Sequence, residues 1–365
     1  MRDLTTLPVC DPSQHSFDTI VGHDLAKSYL MRAYDAQVLP HALLFHGPRG
    51  LGKLSMAYAL AKHVNAPSPS DLVQSEIRRK ISDQVFADLL VVEPKGAAGQ
   101  ITLNGWKPGK DDPDGLQYYR FVDSRPLEGS KKFLIFRRAD RMNVALANFL
   151  LKLIEEPPSY LQVVLVTDRP NDLLVTIRSR CAPVKFSPLM ASEMDAFARI
   201  AMPDALTHER QALVQLADGR PGMLRELLDS DTANLRGDVV KLMRKFQQFG
   251  FLSLFRVASE LANSTGKPTR GGASSESFES VLNALQAWLR DATISKALPP
   301  DLATRLFVNG PEAAEISGYA KDTSLEALAG AVETLRRSYH YIPRQTDRNY
   351  VLELLLLRLG RAMKS

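Results

Sequence analysis

Residues Gly47-Pro48-Arg49-Gly50-Leu51-Gly52-Lys53-Leu54 have the types and spacing of a phosphate-binding loop. In the frame G-x-x-x-x-G-K-[ST], glycines turn backbone N–H groups toward phosphates, a lysine neutralises their charge and a Ser/Thr hydroxyl binds Mg²⁺. Only the last position fails: Leu54 has no oxygen for a cation. Ser55 lies about 100° further around a helix of roughly 3.6 residues per turn, which makes it a poor substitute. The expected chemistry is phosphate binding through Gly47, Gly50, Gly52 and Lys53, with hydrolysis impaired. Such a degenerate loop binds ATP weakly or stands empty.

The flanking residues supply the elements that such a loop needs. His41-Ala42-Leu43-Leu44-Phe45-His46 reads as a short buried strand, and Leu54 to Val64 as a helix rich in Ala and Leu. Strand, glycine turn and helix N-terminus form the setting of a phosphate site. The plain alternative is a Gly/Pro turn in an ordinary α/β unit.

Hydrolysis also calls for carboxylates at the end of a second buried strand, one to place Mg²⁺ and its neighbour to polarise the attacking water. The strand here is Phe133-Leu134-Ile135-Phe136, and it runs into Arg137 and Arg138. Guanidinium groups stay protonated and cannot ligate a cation or act as a base. Asp140, a few residues on, is expected to cap the following helix.

At 365 residues, 45% hydrophobic and 24% charged, the chain has the size and balance of a soluble protein of two or three domains. No run approaches the roughly 20 apolar residues of a membrane span. Met1 to Pro8 lacks the apolar core of a secretory signal. The two cysteines, Cys10 and Cys181, have no metal-ligand spacing, and the seven histidines show no H-x-x-x-H pair. A reducing cytoplasm, no metal site and no membrane partner are expected. The net charge of +5 permits contact with nucleic acid without requiring it.

Further strand candidates are Leu89–Val92 and Gln162–Thr167, alternating with helices in the manner of a parallel sheet. Residues 94–117 are polar and rich in Gly and Pro, as in an exposed loop or hairpin. Beyond Pro188 the strands fade. Helical patterns break at Pro203 and at Gly219-Arg220-Pro221-Gly222, and a flexible Ser/Gly/Thr segment spans Ser264 to Ser277. Phe278, Val281, Leu282, Leu285, Trp288 and Leu289 recur at helical spacing, and the Val351–Leu359 helix is apolar around most of its circumference.

The segment Ala139-Asp140-Arg141-Met142-Asn143, with Ala147-Asn148-Phe149-Leu150-Leu151-Lys152-Leu153-Ile154-Glu155-Glu156-Pro157-Pro158, resembles the clamp-loader branch of the AAA+ ATPases. Thr176-Ile177-Arg178-Ser179-Arg180-Cys181 is similar to its T-x-x-S-R-C element, and Phe17 to His23 and Leu39 to Pro48 also match. Together these cover roughly residues 16–185. Within the branch the resemblance is strongest to bacterial DNA polymerase III subunits of the delta-prime type.

The resemblance implies an α/β fold: a RecA-like AAA+ parallel sheet module over 1–187, a helical lid over 188–232 and an all-α C-terminal collar over 233–365. It implies a non-hydrolysing stator that partners delta and gamma/tau subunits and the sliding clamp, reaching primer-template DNA mainly through the complex. Arg180 would be an arginine finger acting in trans, a device worth about 10³–10⁵ in rate. The alternative for Arg180 is a simple ion pair or helix cap. The four-cysteine zinc module of the motor subunits has no counterpart over Asn65 to Asp88. The sensor positions align with Asp168 and Gly222, with Arg220 and Arg225 nearby but given no role. Glu155 and Glu156 stand at a helix C-terminus, where the dipole disfavours carboxylates, so an interaction must offset that cost. The rival readings are an ATP-hydrolysing motor subunit, a nucleotide-sensing scaffold and, least supported, a small-metabolite kinase.

Overall fold

The computed structural model describes residues 11–68, 70–94, 99–102, 115–203, 207–228, 274–303, 307 and 313–338. They divide into two compact units: Met1–Ala205 with Ala217–Arg225, and Leu206–Leu216 with Glu226–Ser365. Each is described by itself.

The first unit is built on five strands: β1 (Ala42–His46), β2 (Leu89–Val92), β3 (Lys132–Arg137), β4 (Leu161–Thr167) and β5 (Ala182–Lys185). They lie in the order β2-β3-β4-β1-β5, with every neighbouring pair parallel. This is the RecA-like α/β sheet of the AAA+ class. Four strands match their sequence expectations. The fifth is short and carries Pro183 opposite Leu44, a residue that only an edge strand tolerates.

Parallel strands need crossover helices, which bury both faces of the sheet. Side-chain alternation shows this directly. Leu43, Phe45, Phe133, Ile135, Val164 and Val166 face one core with Leu30 of α1 (Asp24–Asp35) and Met56 and Leu60 of α2 (Lys53–Asn65). Leu44, Leu134, Phe136, Val163 and Leu165 face the other, against Leu146, Leu150 and Ile154 of α5 (Val144–Glu155). Between them in sequence come α3 (Leu72–Ser82) and α4 (Gly115–Asp123).

The polar 94–117 stretch departs from a simple exposed loop. Ile101 is buried and bridges to Met142, donating to Arg141 O and accepting from Asn143 N, each at 2.9 Å. Its C-terminal end begins α4, while 95–98 and 103–114 lie outside the described residues. Apolar residues scattered through a polar run, Ile101, Leu103, Trp106 and Leu116, give no strand or helix periodicity to read.

Asp88 ties the sheet to the turn before β3. Its fully buried carboxylate accepts from the N–H groups of Leu127 (2.9 Å), Glu128 (2.7 Å) and Gly129 (2.8 Å). The expected lid stretch contains α7 (Ala191–Ala201), α8 (Thr207–Ala217) and α9 (Pro221–Leu228). In the second unit the helix Ser274–Ala297 packs on the helices Ala313–Asp322 and Leu325–Ser338. Leu285, Trp288, Leu289 and Ala292 are buried there, and the Trp288 ring meets Tyr319 edge-on with centroids 4.4 Å apart. Ser274–Ser277, expected within a flexible segment, form the first turn of that helix. The Val351–Leu359 stretch lies outside the described residues.

Asp88→Asn puts an amide where three N–H groups converge, and hydrogen bonds to a charged acceptor are worth about 1.5–3 kcal/mol each. The substitution should lower unfolding free energy by about 2–3 kcal/mol, measured by urea denaturation with an unchanged m-value.

Candidate functional site: the phosphate loop and the arginine element

The loop leaves the C-terminal end of β1 and enters α2 at Gly52, whose φ of 76° is left-handed. Gly47 (φ 145°) has no room for a side chain: a Cβ there would come within 2.2 Å of Phe186 O. The four expected phosphate residues, Gly47, Gly50, Gly52 and Lys53, are therefore brought together in one turn.

Lys53 is almost fully buried, and its ammonium is surrounded. Nζ donates to Gly47 O, Pro48 O and Asp168 Oδ1, each at 2.6 Å. Burial lowers its pKa below the ordinary lysine value, and the Asp168 carboxylate opposes that shift. Asp168, expected at the sensor position after β4, thus places an anion on the lysine that elsewhere meets phosphate.

Gly222, expected where the family's lid arginine stands, closes the loop from the other side. Its N–H donates to Gly50 O at 2.7 Å, and a Cβ on it would lie 2.8 Å from Gly50 Cα. Arg220 turns back toward Ala217 O at 3.4 Å.

The residues do not fit a magnesium nucleotide in the usual way. Leu54 is partly buried against the Tyr58–Ile77–Ile81 cluster. Arg137 ends β3 paired with Glu93 at 2.9 Å. Arg138 follows in a left-handed conformation (φ 56°); burial, then Arg141 and Arg49, push its pKa down. Asp140 does not cap the next helix, contrary to expectation. It accepts from Thr167 Oγ1 at 2.7 Å, while Asn143 caps α5 by accepting from Leu146 N at 2.9 Å. Asn143 is three residues before that N–H, the spacing a cap requires. Among the described residues, no three His, Cys, Asp or Glu side chains gather to hold a metal ion.

His23 supports the loop from outside it. It adopts φ 59° ahead of α1, donates from Nε2 to Leu51 O at 2.9 Å and packs edge-on against Phe186 at 4.9 Å. Burial lowers its pKa, with the Leu51 hydrogen bond opposing.

Arg180 lies elsewhere. It follows α6 (Val175–Arg178) and precedes β5, fixed by its buried neighbours Ile177 and Cys181. Burial pushes the Cys181 thiol up to about 12, so it packs as a neutral group. Register puts Ala182 beside Leu43 and Lys185 beside His46. Arg180 therefore stands at the N-terminal end of β1, whereas the phosphate loop leaves its C-terminal end. At about 3.3 Å per residue the intervening strand alone spans roughly 10 Å. Arg180 Nε donates to Glu155 Oε1 at 2.7 Å, with the side chains 41% and 48% exposed. Its Nη1 reaches Thr176 O at 3.2 Å. The ion pair that was the alternative reading for Arg180 and the compensation expected for Glu155 are one contact.

A parallel sheet with a glycine loop between β1 and α2, a lysine at the helix start and a lid glycine on the loop defines a P-loop AAA+ module. Residues 22–190 match the family model described as "DNA polymerase III, delta subunit". DNA polymerase III subunit delta′ of Bacillus subtilis is 29% identical over 60% of this chain and 63% of its own length. Subunit tau of Escherichia coli is 29% identical over 61% of this chain but only 34% of its own length. A Thermotoga maritima structure, a gamma subunit-related protein, superposes with TM-score 0.39 at 18% identity, covering 94% of this chain and 100% of that one. Over this segment the chain is similar to bacterial DNA polymerase III subunits of the delta′ and tau kinds.

Three histidines, His23, His46 and His63, have pKa values lowered by burial. The folded state resists protonating them, so the unfolded state binds more protons below their ordinary value of 6.5. Stability should be full above that pH and fall as pH drops toward 5, read as a falling Tm. His23→Gln should make that fall shallower.

Proposed function

We propose that this chain is the non-hydrolysing, delta-prime-type member of a clamp loader, supplying Arg180 in trans to an ATP held by a neighbouring gamma/tau-type subunit. Its partners would be delta and gamma/tau subunits and the sliding clamp, with primer-template DNA reached mainly through the complex. One observation carries this reading: Lys53 is occupied by Gly47 O, Pro48 O and Asp168 Oδ1. The lysine that should meet phosphate is spent inside the chain. Leu54 and Arg137 supply no oxygen for magnesium, so the chain needs no nucleotide of its own and binds ATP weakly or not at all.

The separation of Arg180 from Lys53 along the sheet favours action on another subunit. An arginine there would stabilise charge developing on a transferring phosphoryl group, an effect worth about 10³–10⁵. Family relatives include both delta′ and tau subunits, so the motor reading is the direct rival.

Two measurements separate them. The isolated chain with magnesium and ATP should release no phosphate above background; steady turnover abolished by Lys53→Ala would establish the motor instead. In a reconstituted complex, Arg180→Ala should slow single-turnover hydrolysis at the site it faces by about 10³-fold. Equal rates would remove the trans role.

A further inference from the structure

We infer that Glu155 is a positioning residue for Arg180, holding its guanidinium by one edge so that the remaining N–H groups are presented outward in a fixed plane. The inference rests on the trans role proposed above and extends it to a residue that role does not include.

Arg180 is one residue before a cysteine buried beneath it and reaches into solvent on a long, flexible side chain. An arginine so exposed would ordinarily sample many rotamers, and ordering it only at the moment of phosphate contact costs entropy. Here contacts within the chain order it in advance, the longest of them from Nη1 to Ser179 Oγ at 3.5 Å. Nε donates to Glu155 Oε1 at 2.7 Å, and Nη1 to Thr176 O at 3.2 Å. A guanidinium has five N–H donors in a rigid plane, so these contacts set the plane and leave the other donors to a ligand. Among the described residues Nη2 has no partner in its own chain.

The position of Glu155 makes the holding specific. It is the last residue of α5, and its backbone neighbour Glu156 closes the helix with N–H to Lys152 O at 3.1 Å. Pro157 and Pro158 then end the helix, which fixes where the carboxylate emerges. A carboxylate at a helix C-terminus is repelled by the dipole and so gains more than usual from a cation. α5 is itself anchored by Leu150 and Ile154 in the sheet core. The arginine is thereby referenced to the sheet through α5 and not only through its own short helix. Arg178, two residues earlier, is used differently: it binds Asn171 Oδ1 at 2.7 Å within its own loop.

The test uses the full chain in a reconstituted complex with gamma/tau-type ATPase subunits, comparing wild type, Glu155→Ala, Glu155→Gln, Arg180→Ala and the double variant Glu155→Ala/Arg180→Ala. A small misplacement of a catalytic group costs up to about 10²-fold in rate. Glu155→Ala should therefore lower kcat at the facing site by about 10-fold with KM for ATP unchanged. Glu155→Gln, which keeps an acceptor for Nε, should recover part of the loss. The double variant should be no slower than Arg180→Ala alone, because Glu155 acts only through that arginine. A wild-type kcat for Glu155→Ala beside a slow Arg180→Ala would overturn the positioning role and leave the trans role standing. A wild-type rate for Arg180→Ala would overturn both. Additive losses in the double variant would assign Glu155 some other task. Should Glu155→Ala fail to enter the complex on gel filtration, Glu155→Gln alone decides: a kcat below wild type but above Arg180→Ala, with KM for ATP unchanged, supports positioning, and a kcat equal to either of those two overturns it.

Discussion

A buried ammonium group needs acceptors, and Lys53 finds all of its partners inside the chain. Two come from the carbonyls of its own loop and one from Asp168 at the end of β4. This contact joins the glycine turn, the start of α2 and the central strand of the sheet at one point. The glycines accept the left-handed angles that let the carbonyls face inward. Gly222 then packs its backbone on Gly50, a closeness that any side chain would prevent. The loop is held in shape by the protein itself.

The parallel sheet gives the molecule two chemically distinct ends. Loops after the strands gather Lys53, Asp140, Asp168 and Arg138; segments before them carry Glu155 and Arg180. Parallel strands all run the same way, so residues placed before and after them cannot meet across the sheet. That constraint follows from the register of β5 on β1 and turns two weak local patterns into a directional arrangement. The module therefore carries Lys53 and Asp168 at one end of its strands and the Arg180–Glu155 pair at the other.

Much of this was legible in the residues. The loop, four of the five strands and the break at Gly219–Gly222 followed from glycine placement and apolar runs. Resemblance aligns Asp168 with the sensor position after the fourth strand and Gly222 with the lid's sensor position, and the geometry puts both against the loop. What escaped has physical causes. β5 is four residues long with a proline inside, too short for a period-2 signal. Ile101 enters the core singly from a polar stretch. Asp140 and Asn143 are equally good caps by type, and only the three-residue spacing to Leu146 separates them. His23 supports Leu51 across 28 residues, a distance no local pattern encodes. Glu155 needed a cation, but nothing in the chain order said which one.

The persistence of Gly50-Leu51-Gly52-Lys53 does not by itself argue for nucleotide use. Removing the lysine would leave two loop carbonyls and the Asp168 carboxylate facing one another without a cation, and breaking a buried charge pair is costlier than never forming it. Asp168 is one-third exposed, so water would soften that penalty without removing it. Replacing Leu54 by a hydroxyl residue would cost the helix an apolar contact and return one magnesium ligand, with Arg137 and Arg138 still standing where carboxylates would be needed at the end of β3. The glycine-lysine motif therefore serves the shape of the loop, and the exposed Arg180 at the opposite end of the strands is held by a separate contact with Glu155.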